Sequence, residues 1–203
     1  MNLASKLWGA AFALAVIAMA CEPAAAATPL GKNLVKNPGA EAGATGTSVP
    51  DWEIEPDFSV VPYGEPGVPS EKQGKRVDGE SQLFSTGEYI LNFDTCGSAR
   101  QSIKLKKISD DIDSGSVRVT VSAAMGTEEK SATAFVILQF RDSNNHQVGS
   151  NLSLSASTSG KMVKKSKSKT VPAGTRAINV LLQGDLLNQT CDGFFDNVSV
   201  ILE

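Results

Sequence analysis

The chain has 203 residues, a net charge of −3, 18 glycines, 9 prolines and only 6% aromatic residues. That charge balance argues against nucleic acid as a partner. The length suits one domain with a substantial core, and nothing in the sequence marks a repeat or an internal linker.

In chain order, Met1 to Ala27 comes first, with Lys6, an apolar run from Leu7 to Ala20, and then small residues. This is the three-part layout of a secretory signal peptide. The run is shorter than the roughly 20 residues a membrane-spanning helix needs. Cleavage at Ala25-Ala26-Ala27 gives a mature domain of residues 28–203. Alternatively Cys21, preceded by Ala18-Met19-Ala20, is a lipid-modified cysteine. Both readings take the chain out of the cytoplasm, to the periplasm or medium in the first and to a lipid anchor on the outer envelope in the second.

Cleavage after Ala27 leaves Cys96 and Cys191. An even pair in an exported domain reads as one disulfide, closing a loop of about 95 residues that the chain-entropy model values at roughly 4 to 5 kcal/mol. The other reading is two buried thiols. With the single histidine, His146, far from both cysteines in sequence, a zinc site is disfavoured.

The rest of the chain alternates. Val117, Val119, Val121 and Ala123 point one way, with Arg118, Thr120 and Ser122 the other, as in a half-buried strand. The stretch Ala132 to Arg141 is apolar on both faces and predicts a central strand covered on both sides. Asp142-Ser143-Asn144-Asn145 predicts a turn. Further strands are expected around Phe58 to Tyr63, Tyr89 to Phe93, Gln101 to Leu105, Gln147 to Leu154, Met162 to Thr170, Ala177 to Gln183 and Phe194 to Leu202. Many short strands separated by turns predict an all-β, two-layer antiparallel sandwich or jelly roll. The proline- and glycine-rich stretch Gly64 to Gly79 predicts a long surface excursion, and Gly184 to Gly193 a second long loop.

Motifs near the two ends of the mature chain carry a resemblance. Asn33-Leu34-Val35-Lys36-Asn37-Pro38-Gly39-Ala40-Glu41, followed by Val49-Pro50-Asp51-Trp52, resembles the opening of bacterial secreted domains of the galactose-binding-like jelly-roll superfamily, which includes many carbohydrate-binding modules. Val171-Pro172-Ala173-Gly174-Thr175-Arg176 and the closing Asp192-Gly193-Phe194-Phe195-Asp196-Asn197-Val198-Ser199 resemble the same domains. The resemblance implies a galactose-binding-like sandwich over nearly the whole mature chain. It is specific for fold and poorly specific for function, since this architecture hosts lectins, enzyme accessory modules and adhesion domains.

The resemblance further implies a structural calcium held by Glu41 and Asp196, completed by carbonyls around Lys36 to Gly39 or by the Asn37 side chain. Ca²⁺ takes several oxygen ligands, which paired termini can supply. The alternative makes Glu41 a solvated turn residue and Asp196 a turn cap. A sugar site needs aromatic faces with polar groups at their edges. The candidates are Trp52 and Tyr63, with Asp51, Glu65, Arg76 and Asn92 as polar partners, although Trp52 also fits a core position. Lys165, Lys167 and Lys169 alternate with Ser166 and Ser168. They suit either an anionic polysaccharide or an edge strand protected from pairing. No Ser, Cys or Lys sits in a recognisable nucleophile motif, and Asp110-Asp111-Ile112-Asp113 reads as a solvated loop rather than a pair of glycosidase acids. The expected role is non-catalytic recognition of carbohydrate or a cell-surface glycan. The alternative is an envelope or adhesion protein that contacts protein partners.

Overall fold

The computed structural model describes residues 30–87, 96–185 and 193–203. The signal segment, the predicted strand Tyr89 to Phe93 with its candidate Asn92, and Cys191 lie outside the described residues. Among the described residues, ten strands form two antiparallel five-stranded sheets, as expected for a jelly-roll sandwich. The first sheet runs in the order β1 (Glu53–Ile54), β4 (Ser98–Lys104), β9 (Ala177–Gln183), β6 (Ala134–Arg141) and β7 (Leu152–Ala156). The second runs β2 (Ser59–Pro62), β3 (Gln82–Ser85), β10 (Gly193–Leu202), β5 (Arg118–Thr127) and β8 (Val163–Thr170).

Alternation places the core between the sheets. Val119, Val121 and Met125 of β5 face Val136, Leu138 and Phe140 of β6 and Ile178, Val180 and Leu182 of β9, all fully or almost fully buried. Each such side chain contributes on the order of 1.5–3 kcal/mol when fully removed from water. Outward residues stay wet, with one correction to the sequence reading of β6. Its second face, carrying Phe135, Ile137 and Gln139, is half-buried rather than covered. Strand β7 also starts later than the pattern at Gln147 suggests, because Gly149 takes φ +64° in a turn that only glycine adopts without strain.

The opening segment lies against the last strand, as the end motifs imply. Leu34 N–H donates to Val200 O at 2.9 Å and Val198 N–H to Pro38 O at 2.9 Å. The Asn33 side chain bonds both Val198 O and Val200 N–H. Strand β10 carries a bulge between Asp196 and Ser199, with Asn197 at φ +50°. The extra residue shifts the inward set from Phe195 to Val198, Val200 and Leu202, and leaves Asp196 on the other side of the sheet.

A second, smaller core covers that side. The Gly64 to Gly79 excursion contains a short helix, α1 (Glu71–Arg76), and folds back over the β10 sheet. There Tyr63, Val77, Leu83, Ala124, Met162 and Phe194 pack together. Gly74 sits against the Tyr63 ring, where an added Cβ would come within 3.1 Å of three ring atoms. The excursion therefore covers one end of that sheet's outer face, while Thr120, Ser122, Ser199 and Ile201 further along it stay half-buried. Among the described residues, no second cluster of this kind lies over the outer face of the first sheet.

Strand β8 is the edge of its sheet. Lys165, Lys167 and Lys169 pair with Ala123, Val121 and Val119, so they stand on the core-facing side of the sandwich rim. Lys169 reaches Ser150 and lies 5.5 Å over the Phe140 ring. Inward-pointing charges on an edge strand block pairing with a second sheet, and this placement matches the protective reading of the lysines.

Candidate functional site

The sequence candidates for sugar stacking separate in the fold. Trp52 is 7% exposed, packs edge-on to Phe84 at 5.5 Å and donates from Nε1 to Asn37 O. Tyr63 is equally buried and donates its phenol to Asp196 Oδ2 at 2.6 Å. Neither ring offers a face to a ligand, so the expectation that they form a sugar platform is corrected. Both rings are large apolar surfaces whose single polar atom finds a partner inside, which makes them core residues. Glu65 and Arg76 are exposed on the excursion. Asp51 pairs with Lys36 at 3.7 Å in a turn with φ +70°.

The two proposed calcium ligands do meet. Glu41 and Asp196 line one pocket with Asn37, Pro38, Gly39, Glu80 and Asn197. Burial pushes the Asp196 carboxyl up to about 6, with the nearby Glu41 and Glu80 charges adding to the shift and hydrogen bonds from Tyr63 and Asn197 N–H opposing it. Burial and the Asp196 charge push the Tyr63 phenol further above its usual value. Gly79 is required here, because a Cβ would sit 2.3 Å from Asp196 Oδ2. The Glu41 and Asp196 carboxylates and the neighbouring backbone carbonyls are hard oxygen donors, and such donors fit Ca²⁺ in kind. Two details run against the simplest ligand set. Glu41 spends its oxygens on Ser81 N–H, Ser81 Oγ and Gln82 N–H. Asn37 uses its amide to brace Pro50 O and Ala42 N–H. Among the described residues no three metal-capable side chains converge as a ready cluster.

The open outer face of the first sheet was not found from the sequence. Its registers stack residues into rows across four strands: Ser98, Gln183, Phe135 and Ser155, then Arg100, Leu181, Ile137 and Ser153, then Ser102, Asn179 and Gln139. The centre is apolar and half-buried, formed by Phe135, Ile137 and Leu181, while the surround is amide, hydroxyl and guanidinium. Asn179 is 6% exposed, and its side-chain amide has no hydrogen-bond partner among the described residues. Glu53 and Arg100 pair at the β1 rim. The signal was present as apolar residues on both sides of β6 and β9, but only the sheet order shows that one side lacks a covering layer.

The remaining candidates are structural. His146 is exposed and lies 3.5 Å from Asp142. Asp110, Asp111 and Asp113 fall in a short helix, α2 (Ser109–Asp113). Asp113 there takes both Arg176 guanidinium nitrogens and the Gly174 N–H, which hold its carboxyl below the usual range.

No family model matches the chain, and no curated protein matches it. Solved structures do. A "Family 16 Carbohydrate Binding Module-2" is 21% identical with a TM-score of 0.53, covering 83% of this chain and 99% of that one. TmCBM61 in complex with β-1,4-galactotriose is 15% identical with a TM-score of 0.52, covering 85% and 99%. A cyclase from Fischerella sp. TAU in complex with 4-(1H-indol-3-yl)butan-2-one is 12% identical with a TM-score of 0.58, covering 85% and 97%. The chain spans only 21% of the enzymatically active domain of a bacteriophage CBA120 tailspike that it also matches. These likenesses, with the two five-stranded sheets and the paired ends, show that the chain is a two-layer jelly-roll β-sandwich, a fold it shares with these carbohydrate-binding modules.

Proposed function

We propose that the protein is an exported, non-catalytic module that binds carbohydrate on the open face of the β9 sheet. The observation that carries this reading is the face itself: a half-buried apolar centre of Phe135, Ile137 and Leu181 ringed by amides and hydroxyls, including the unpartnered Asn179. Sugar rings pair apolar C–H faces with hydroxyl edges, and such a surface offers both. The low-identity solved structures that bind glycans lend the reading support through fold alone.

A glycan array probed with residues 28–203 tests it. Binding is expected, and Phe135→Ala is expected to weaken it about tenfold, in line with a loss of roughly 1.4 kcal/mol, while the melting temperature changes little because the ring is only half-buried. Binding unchanged by Phe135→Ala and Asn179→Ala would place the ligand elsewhere.

Export also supports a bond between Cys96 and Cys191. Intact mass after alkylation, with and without reductant, is expected to show one disulfide, and reduction is expected to cost about 2–4 kcal/mol of stability. Two thiols alkylated in native protein would refute the pairing. We further propose that the pocket of Glu41 and Asp196 binds a structural Ca²⁺, on the strength of the two carboxylates that meet there beside the Asn37 to Gly39 loop.

A further inference from the structure

We infer that the glycan taken by the β9 sheet face carries carboxylates, as a uronate polymer does, with one carboxylate seated between Lys104 and Arg141. This rests on the reading of that face as the carbohydrate site and names its ligand class. Lys104 and Arg141 both pair with Ala177 of β9, so the two long cations stand in one row with a small, buried residue between them. Strand spacing puts their backbones about 10 Å apart, a gap that two long side chains can close around one anion.

Arg141 lacks a counter-ion. It donates to Gln139 Oε1, and no carboxylate lies within ion-pair distance among the described residues. Its Nε is buried without a partner, the one such side-chain atom among the described residues. Asp142, next in the chain, is already engaged by His146 and by the Asn144 and His146 backbone N–H groups. Lys104 is exposed and likewise makes no ion pair among the described residues. The acids that line the groove beside Lys104, Glu53 and Asp51, are held by Arg100 and Lys36. Among the described residues, Lys104 and Arg141 are therefore left as cations of this row without an acid, in a chain whose net charge is −3. Beside it the unpartnered amide of Asn179, in the row below, is placed to bond a ring hydroxyl. A carboxylate is the acceptor that suits a guanidinium and an ammonium best.

The test is binding of polygalacturonate and of its highly methyl-esterified, nearly neutral form, beside a neutral β-1,4-galactan. The acidic polymer is expected to bind at least tenfold tighter than its ester at low salt, and the margin is expected to shrink as salt rises. Arg141→Gln with Lys104→Ser is expected to remove that margin, leave neutral-glycan binding in place and keep the melting temperature. Lys165→Ser with Lys167→Ser, on the β8 rim, is expected to change nothing. Equal binding of acid and ester, or neutral-glycan binding with none of the polyuronate, would overturn the inference and leave the carbohydrate reading standing. Loss of the margin in the β8 variant but not in the Arg141 and Lys104 variant would overturn the placement. Failure to bind any glycan would overturn the carbohydrate reading and this inference with it.

Discussion

Trp52→Ala is expected to destabilise the domain by about 3–5 kcal/mol, lowering the melting temperature by roughly 10 °C or more for a chain of this size. The indole is 7% exposed, packs against Phe84, and ties its Nε1 to Asn37 O in the opening segment. Removing it opens a cavity under the loop that carries the end motif and strands the Asn37 carbonyl. Glycan affinity of the folded fraction is expected to stay unchanged, because the ring meets no open face. Thermal unfolding followed by circular dichroism, with binding measured well below the transition, checks both halves. A variant with native stability and lost binding would return Trp52 to the ligand site.

The second large effect is a pH dependence centred on Asp196. Its folded-state carboxyl titrates near 6, raised from 3.8 mainly by burial. Between those values the folded protein binds a proton that the unfolded chain has released. Without calcium, stability therefore falls as pH rises from about 4 through about 6, by about 3 kcal/mol, and stays lower above that window. Asp196→Asn keeps an acceptor for the Tyr63 phenol and removes the titration. The difference between wild type and this variant isolates the group from Glu41, Glu80 and the carboxyls whose titration is shifted downward. If Ca²⁺ occupies the pocket, it competes with that proton. Millimolar Ca²⁺ is then expected to restore the stability lost above pH 6, by roughly 1 kcal/mol or more for a site of extracellular strength, and to have little effect at pH 4. Melting curves that coincide in chelator and in Ca²⁺ at pH 7.5 would leave Asp196 as a buried acid bonded to Tyr63 and Asn197.

The sequence was informative where a local pattern and a global consequence coincide. Strand β5 follows from Val119, Val121 and Ala123 alternating with Arg118, Thr120 and Ser122, and β8 as an edge follows from its lysines. The meeting of Glu41 and Asp196 follows from motifs at the two ends of one sheet. The short strand β3, Gln-Leu-Phe-Ser, carries too little alternation to stand out, and its place between β2 and β10 is set by long-range pairing. The fate of Tyr63 depends on Gly74 and Gly79 letting the excursion close over it, a contact made across the fold. The same excursion covers one end of its own sheet and none of the first sheet's outer face, and no local pattern in β6 or β9 says which side of those strands stays uncovered.

The central claim, carbohydrate binding on the uncovered sheet, is tested most directly by amide chemical-shift mapping with a glycan that binds on the array. Perturbations are predicted to cluster on Arg100, Ser102, Phe135, Ile137, Gln139, Asn179 and Leu181, while Tyr63 and the α1 excursion stay unmoved. Shifts confined to the excursion, or to the Glu41 and Asp196 pocket, would contradict it.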